Sequence, residues 1–203
     1  MKRVLTIATL SFFYIGSLSC SPIVGKMIGI QDTKDLTINK IDSSISNSQA
    51  FAGKDNYYLD TSYLTYIRSA FRDDSALVKN LSQPMQAMYF EDNRLVSYHI
   101  NCNAGGFPNL KWNRDNNFGV FIPKTQTDCD SRVELPLIRQ QMTAFHTDEK
   151  SHKRYTVVIF WNYKFYKQSL GLIRTVEQNI RQYGKEKDVQ VYYVNNDLLY
   201  KEI

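Results

Sequence analysis

Between residues 154 and 195 the spacing of apolar positions changes from continuous to helical and back, which predicts a strand, a helix and a strand. Residues 155–161 read Tyr-Thr-Val-Val-Ile-Phe-Trp, β-branched or aromatic at every place, as expected of a strand buried on both faces. Phe165, Ser169, Leu172, Ile173, Val176, Ile180 and Tyr183 then recur at steps of three and four, one stripe along a helix that Gly184 ends. Residues 189–194, Val-Gln-Val-Tyr-Tyr-Val, predict the second strand. With connections this short the three form a right-handed βαβ unit with parallel strands.

Upstream, Met88 and Phe90 alternate with smaller or polar neighbours over 85–90, and a second β-rich run covers 95–100. Glu91-Asp-Asn-Arg94 between them is turn chemistry, with Asn93 suited to positive φ, so the pair predicts an antiparallel hairpin. Residues 118–122, Phe-Gly-Val-Phe-Ile, predict a third strand stopped by Pro123. Asp60 is placed to cap a helix carrying Tyr63, Leu64, Ile67 and Phe71, and a shorter helix covers 75–81 before Pro84. Leu36, Ile38, Ile41 and Ile45 define one face of another, broken at Ser46-Asn-Ser48. Leu135, Leu137, Ile138 and Met142 predict a last short helix with Pro136 in its first turn, and residues 143–153 read as a polar connector.

Composition changes this picture mainly at the ends of the chain. The 203 residues suit one packed domain, and 43% hydrophobic content argues against disorder over most of the length. Lys2-Arg3, an apolar run over 4–15 and small residues before Cys20 have the three parts of a secretory signal. The run is too short to span a bilayer core of roughly 30 Å as a helix. Gly16-Ser-Leu-Ser-Cys20 resembles the lipobox of bacterial lipoproteins, with Ser17 where leucine is preferred. The resemblance implies cleavage before Cys20, lipidation of its sulfur, and a multi-chain anchor of the palmitate type, each buried methylene adding roughly 0.8 kcal/mol. With Ser21-Pro22 next and no Asp beside the cysteine, it further implies sorting to the outer membrane, facing the periplasm. Loss of Lys2 and Arg3 with the leader lowers the net charge from +5 to +3, too little to point to nucleic acid. From Lys150 onward ten Lys or Arg stand against five Asp or Glu, a solvated face or a surface for an anionic partner such as lipid headgroups.

The stretch 101–113, Asn-Cys-Asn-Ala-Gly-Gly-Phe-Pro-Asn-Leu-Lys-Trp-Asn, places large apolar groups where a polar loop is expected. Gly105, Gly106, Phe107, Leu110 and Trp112 form either a flap over the core or a binding surface. No phosphate-cradling glycine motif is present. With Cys20 assigned to the anchor, Cys102 and Cys129 remain. They are read either as a disulfide closing a loop of about 28 residues, with roughly 3.5 kcal/mol of loop entropy removed from the unfolded chain, or as two separate buried thiols. Their spacing suits no metal site. His99, alone on an alternating strand, reads as a satisfied or surface residue. Cys102 with His99, His146 or His152 as base lacks any oxyanion hole, and His146 with Asp148 sits in a flexible-loop pattern rather than a preformed metal site.

Val157-Val-Ile-Phe-Trp161 with the helix and strand after it resembles the first core unit of thioredoxin-like proteins, in which the helix's first turn carries Cys-x-x-Cys. Phe165 and Gln168 occupy those cysteine positions here, and neither supplies the low-pKa thiolate the chemistry needs. Six residues follow Asp197, fewer than the hairpin and helix that complete such a domain, so the resemblance implies that the upstream hairpin fills the missing sheet positions in permuted order. Cys102-x-Ala-Gly-Gly-Phe-Pro-Asn-Leu-x-Trp-Asn113 is similar to predicted Gram-negative lipoproteins of unknown function and implies no activity.

The reading that follows is an α+β (mixed α/β) fold, with the hairpin and the βαβ unit in one sheet of about five strands and helices on its faces. It divides the chain into a leader (1–19), a tether (20–56) and one globular domain (57–203). The expected role is a lipid-anchored envelope protein acting as a non-catalytic binding module, without cofactor, meeting the membrane through its anchor and an unidentified protein or envelope component through the domain. The alternative is a divergent redox protein using Cys102 and Cys129.

Overall fold

The computed structural model describes residues 30–31, 36–51, 53–100, 111–113, 115–146 and 153–200. Its centre is the strand–helix–strand unit read above: β5 (Tyr155–Trp161), a 17-residue helix (Tyr166–Gln182) and β6 (Val189–Asn195). β5 and β6 lie parallel and in continuous register from Tyr155 against Val189 to Trp161 against Asn195. On the far side of β5, β2 (Gln86–Glu91) pairs antiparallel and carries its hairpin partner β3 (Arg94–Ile100). On the far side of β6, β1 (Asp55–Tyr58) runs parallel, and β4 (Thr143–His146) closes that edge antiparallel to β1. The six strands therefore stand in the order β3-β2-β5-β6-β1-β4, and the fold is α+β.

β5 needs no polar alternation because helices cover both faces of the sheet. In chain order the helices are α1 (Ile38–Ser46), α2 (Thr61–Ala70), α3 (Ser75–Leu81), α4 (Leu135–Arg139) and α5 (Tyr166–Gln182). Val158 and Phe160 pack with Tyr63, Ile67, Leu81 and Ile138 under α2, α3 and α4. Val157, Ile159 and Trp161 pack with Ile41, Ile45, Leu172 and Val176 under α1 and α5. The capping chemistry is local: Asp60 accepts the Ser62 N–H at 2.8 Å, Asp74 that of Leu77 at 3.0 Å, and Thr37 that of Lys40 at 3.3 Å. α5 ends as its periodicity predicts, with Gly184 at φ +62° and the Lys185 N–H reaching back to the Ile180 carbonyl at 3.0 Å.

Several expectations are corrected. Residues 118–122 are not a strand. Their backbone is consumed elsewhere: the Asn179 side chain donates to the carbonyls of Phe118 and Val120 at 2.8 and 2.9 Å, and the Tyr183 hydroxyl donates to that of Gly119. Those carbonyls face α5 and its C-cap, and the segment pairs with no strand. The supposed connector at 143–153 begins with β4, whose partner β1 lies far back in the chain. In the hairpin turn it is Asp92, at φ 54°, that takes the positive dihedral rather than Asn93. Residues 36–51 and 53–56, assigned to the tether, belong to the folded unit: Ile41, Ile45 and Phe51 are almost fully buried, and the Phe51 ring lies 4.4 Å from that of Trp161. No described helix is long and apolar enough to cross a membrane.

His99 is buried rather than exposed. Its Nε2 lies 3.1 Å from Ser97 Oγ, and its ring stacks 4.5 Å from that of Phe118 with Tyr89 edge-on. Burial holds the imidazole down to about 4, below its ordinary 6.5. The folded state therefore binds fewer protons than the unfolded chain between those values. Stability present above pH 6.5 is lost as pH falls toward 4, by about 3 kcal/mol. Urea denaturation of the native chain at pH 7 and pH 4.5 should show most of this loss, and His99→Phe should remove most of its slope; an unchanged slope in the variant would assign the acid limb to other groups.

Candidate functional site

The carboxyl ends of β5 and β6 and the first turn of α5 gather the densest set of buried polar side chains. Ser169, on the buried face of α5, accepts the Asn162 N–H and donates to the Asn162 carbonyl, both at 3.0 Å. The Asn162 amide donates to Asn196 Oδ1 at 3.1 Å, and the Asn196 amide donates to the Pro84 carbonyl at 2.9 Å, where the chain enters β2. Asp197 accepts the backbone N–H of Tyr163 at 2.6 Å, that of Lys164 at 3.2 Å, and the Asn195 amide at 2.6 Å. Because Phe165 at the α5 N-cap has no capping side chain, Asp197 supplies from another segment the acceptors this entry turn lacks. Burial raises the Asp197 carboxyl, and these hydrogen bonds oppose the rise.

At the two positions where a thioredoxin-like helix would carry cysteines, Phe165 is half-buried and Gln168 buried. The Gln168 carbonyl accepts the indole N–H of Trp112 at 3.3 Å. Trp112 itself is only 6% exposed and lies against Gly171. Its position is that of a core residue, unlike the contact residue considered from sequence. Gly105, Gly106, Phe107 and Leu110 lie outside the described residues, as do Cys20 and Cys102. Cys129 is half-buried and unbonded, with its sulfur 3.4 Å from Thr125 Oγ1. Burial pushes its thiol up, against thiolate formation. The Ser97–His99 pair has a nucleophile–base spacing, but both residues are 0% exposed and out of reach of a substrate. His152 and Asp148 lie outside the described residues; among the described residues no group of three or more His, Cys, Asp or Glu gathers to hold a metal.

Beside the buried network a groove of about 570 Å³ opens between α5 and the end of α1. One wall is the α5 side, Tyr163, Tyr166, Leu170 and Arg174; the other is Gln31 with the turn from Ser44 through Ala50. The Gln31 N–H donates to the Lys164 carbonyl at 2.8 Å and the Tyr166 hydroxyl to Ser48 Oγ at 3.0 Å, so the two walls are tied together at the rim. The rings of Tyr163 and Tyr166 sit 5.9 Å apart, tilted at 48°. The lining thus offers neutral donors and acceptors, aromatic faces and one guanidinium, and among the lining residues no carboxylate, imidazole or thiol. Such a set recognises a ligand more readily than it moves a proton.

Sequence reasoning passed over this groove because its walls are remote in the chain. The visible signals were Tyr163 and Tyr166 three positions apart at the entry to α5 and Arg174 on the exposed side of that amphipathic helix. Comparison with protein-family models, with curated proteins and with solved structures finds no match.

Proposed function

We propose that the chain is a lipid-anchored cell-envelope protein whose folded part is a non-catalytic binding module, with the groove between α5 and α1 as its binding site. The observation that carries this reading is the groove lining, which holds Gln31, Ser48, Tyr163, Tyr166 and Arg174 but no acid–base or nucleophilic pair. Anchoring through Cys20 and an outer-membrane, periplasm-facing location rest on the lipobox resemblance.

A second reading, a divergent thioredoxin-like redox protein using Cys102 and Cys129, draws support from the strand order. The hairpin β2–β3 stands antiparallel beside β5, opposite β6, which is the arrangement a permuted unit of that kind requires. Against it stand Phe165 and Gln168 at the cysteine positions and the upward shift of the Cys129 thiol.

Two arms test the proposal in the full chain. Incubated with insulin and a dithiol, the protein should reduce no more insulin than the dithiol alone, and Cys102→Ser should change nothing; an activity abolished by Cys102→Ser would replace the binding reading with the redox one. Metabolic labelling with a fatty acid should mark the wild-type chain and not Cys20→Ala; an unlabelled wild-type chain would remove the anchor, and a label persisting in the variant would remove its assignment to Cys20.

A further inference from the structure

The groove opens onto a stripe of positive charge. Along α5, Lys167, Arg174 and Arg181 recur at seven-residue intervals with Gly171 and Gln178 between them, so all five positions share one side of the helix. The three cations are exposed, and among the described residues no ion pair engages them. The one acid of α5, Glu177, is occupied: it pairs with Lys54 and accepts the Tyr193 hydroxyl at 2.7 Å. From Lys167 to Arg181 the stripe runs about 21 Å at 1.5 Å per residue. Arg174 belongs to both features, lining the groove on one flank and standing at the middle of the stripe.

We infer that an extended acidic polysaccharide binds here, its sugar rings against Tyr163 and Tyr166 in the groove and its carboxylates along Arg174, Lys167 and Arg181. This rests on the binding-module reading and names its ligand class. Three features of the chemistry select it. Amides and hydroxyls that both donate and accept match a ligand dense in hydroxyl groups. Tyrosine rings give flat apolar faces with a polar edge, which suit a pyranose ring and not an acyl chain. Arginine and lysine at wide, regular spacing suit charges repeated along a polymer, with Arg174 able to hold a carboxylate in two parallel hydrogen bonds. A flat phospholipid surface would meet the stripe but not enter the groove. A nucleic acid would meet the same three cations, with its phosphates rather than carboxylates along the stripe, and is kept as a separate arm of the test.

The test is binding by the full chain in non-ionic detergent to four probes: an oligouronate, a neutral oligosaccharide of the same length, vesicles of mixed zwitterionic and anionic phospholipid, and single-stranded DNA. The oligouronate should bind tightest, weakening as salt rises. Arg174→Glu and Tyr163→Ala should each weaken it by about tenfold or more, as loss of a charge-assisted contact or a stacking face would. Lys79→Glu, on α3 in the opposite helical layer, should change it less than twofold and controls for overall charge. Circular dichroism of each variant should match wild type, since Arg174 is exposed. Preference for anionic vesicles with Tyr163→Ala silent would overturn the polysaccharide in favour of a membrane surface, and preference for DNA would overturn it likewise. Binding to none of the four would end this proposal while leaving the binding-module reading to stand on a different ligand; only a Cys102-dependent reductase activity removes both.

Discussion

Replacing Asp197 with alanine is expected to destabilise the protein by about 4 kcal/mol, because three buried donors lose their acceptor at roughly 1–3 kcal/mol each while the cost of burying the carboxyl is relieved. The carboxylate receives three hydrogen bonds, from the backbone of Tyr163 and Lys164 and the side chain of Asn195. Alanine leaves those donors without an acceptor in a place where Asp197 is only 5% exposed. For a domain of this size that corresponds to a melting temperature lower by roughly 10 °C. Asp197→Asn should lose less, because one amide oxygen remains to accept. The raised pKa sets a separate pH dependence: burial disfavours the charged form more than the hydrogen bonds favour it, so stability falls as pH rises above the ordinary carboxyl value of 3.8. Removing it nonetheless costs stability, since the donors were positioned for it. Thermal and urea unfolding of the variants measure the effect, and a loss below about 1 kcal/mol for alanine would mean that water replaces the carboxylate without penalty.

The second large effect is expected at Trp112. Truncation to alanine should cost about 3–5 kcal/mol, the range for a buried tryptophan. Its ring lies against Gly171 and its indole donates to the Gln168 carbonyl at 3.3 Å, which pins the end of the loop at 111–113 to α5. A contact residue on a recognition surface would behave in the opposite way, leaving the unfolding midpoint in place while a binding signal fell. Trp112→Phe separates the two contributions within the core: it keeps most of the buried area and loses the indole N–H, so it should cost less than half of the alanine effect. An alanine variant with native stability would return Trp112 to the surface.

Trp112 illustrates how far local pattern reaches. Its size and its glycine-rich neighbourhood marked it as unusual, but the choice between flap and recognition surface depended on where α5 passes, and that is set by contacts across more than fifty residues of chain. The same limit applies to residues 118–122, whose composition suits a strand and whose carbonyls are instead taken by Asn179 and Tyr183. β1 and β4 carry weak signals of their own because each is four residues long and gains its ladder only from β6 and from each other. The groove was hidden for a related reason. Ser48 and Tyr166, 118 positions apart, meet at its rim through one hydrogen bond that no sequence window spans.

What the sequence alone determined is the set of elements whose signal is periodic and local: β5, α5 and β6, the hairpin β2–β3, the helix that Asp60 begins, and the short helix over 75–81. Side-chain periodicity and capping act within a few residues, so they are readable without knowing the neighbours. The tertiary structure decided what depends on remote partners. It set the strand order, the burial of His99 and Trp112, the membership of α1 in the core, and the placing of Arg174 where a neutral polar groove meets a cationic helix face. Those follow from which surfaces cover one another, and that is settled only when the whole chain has packed.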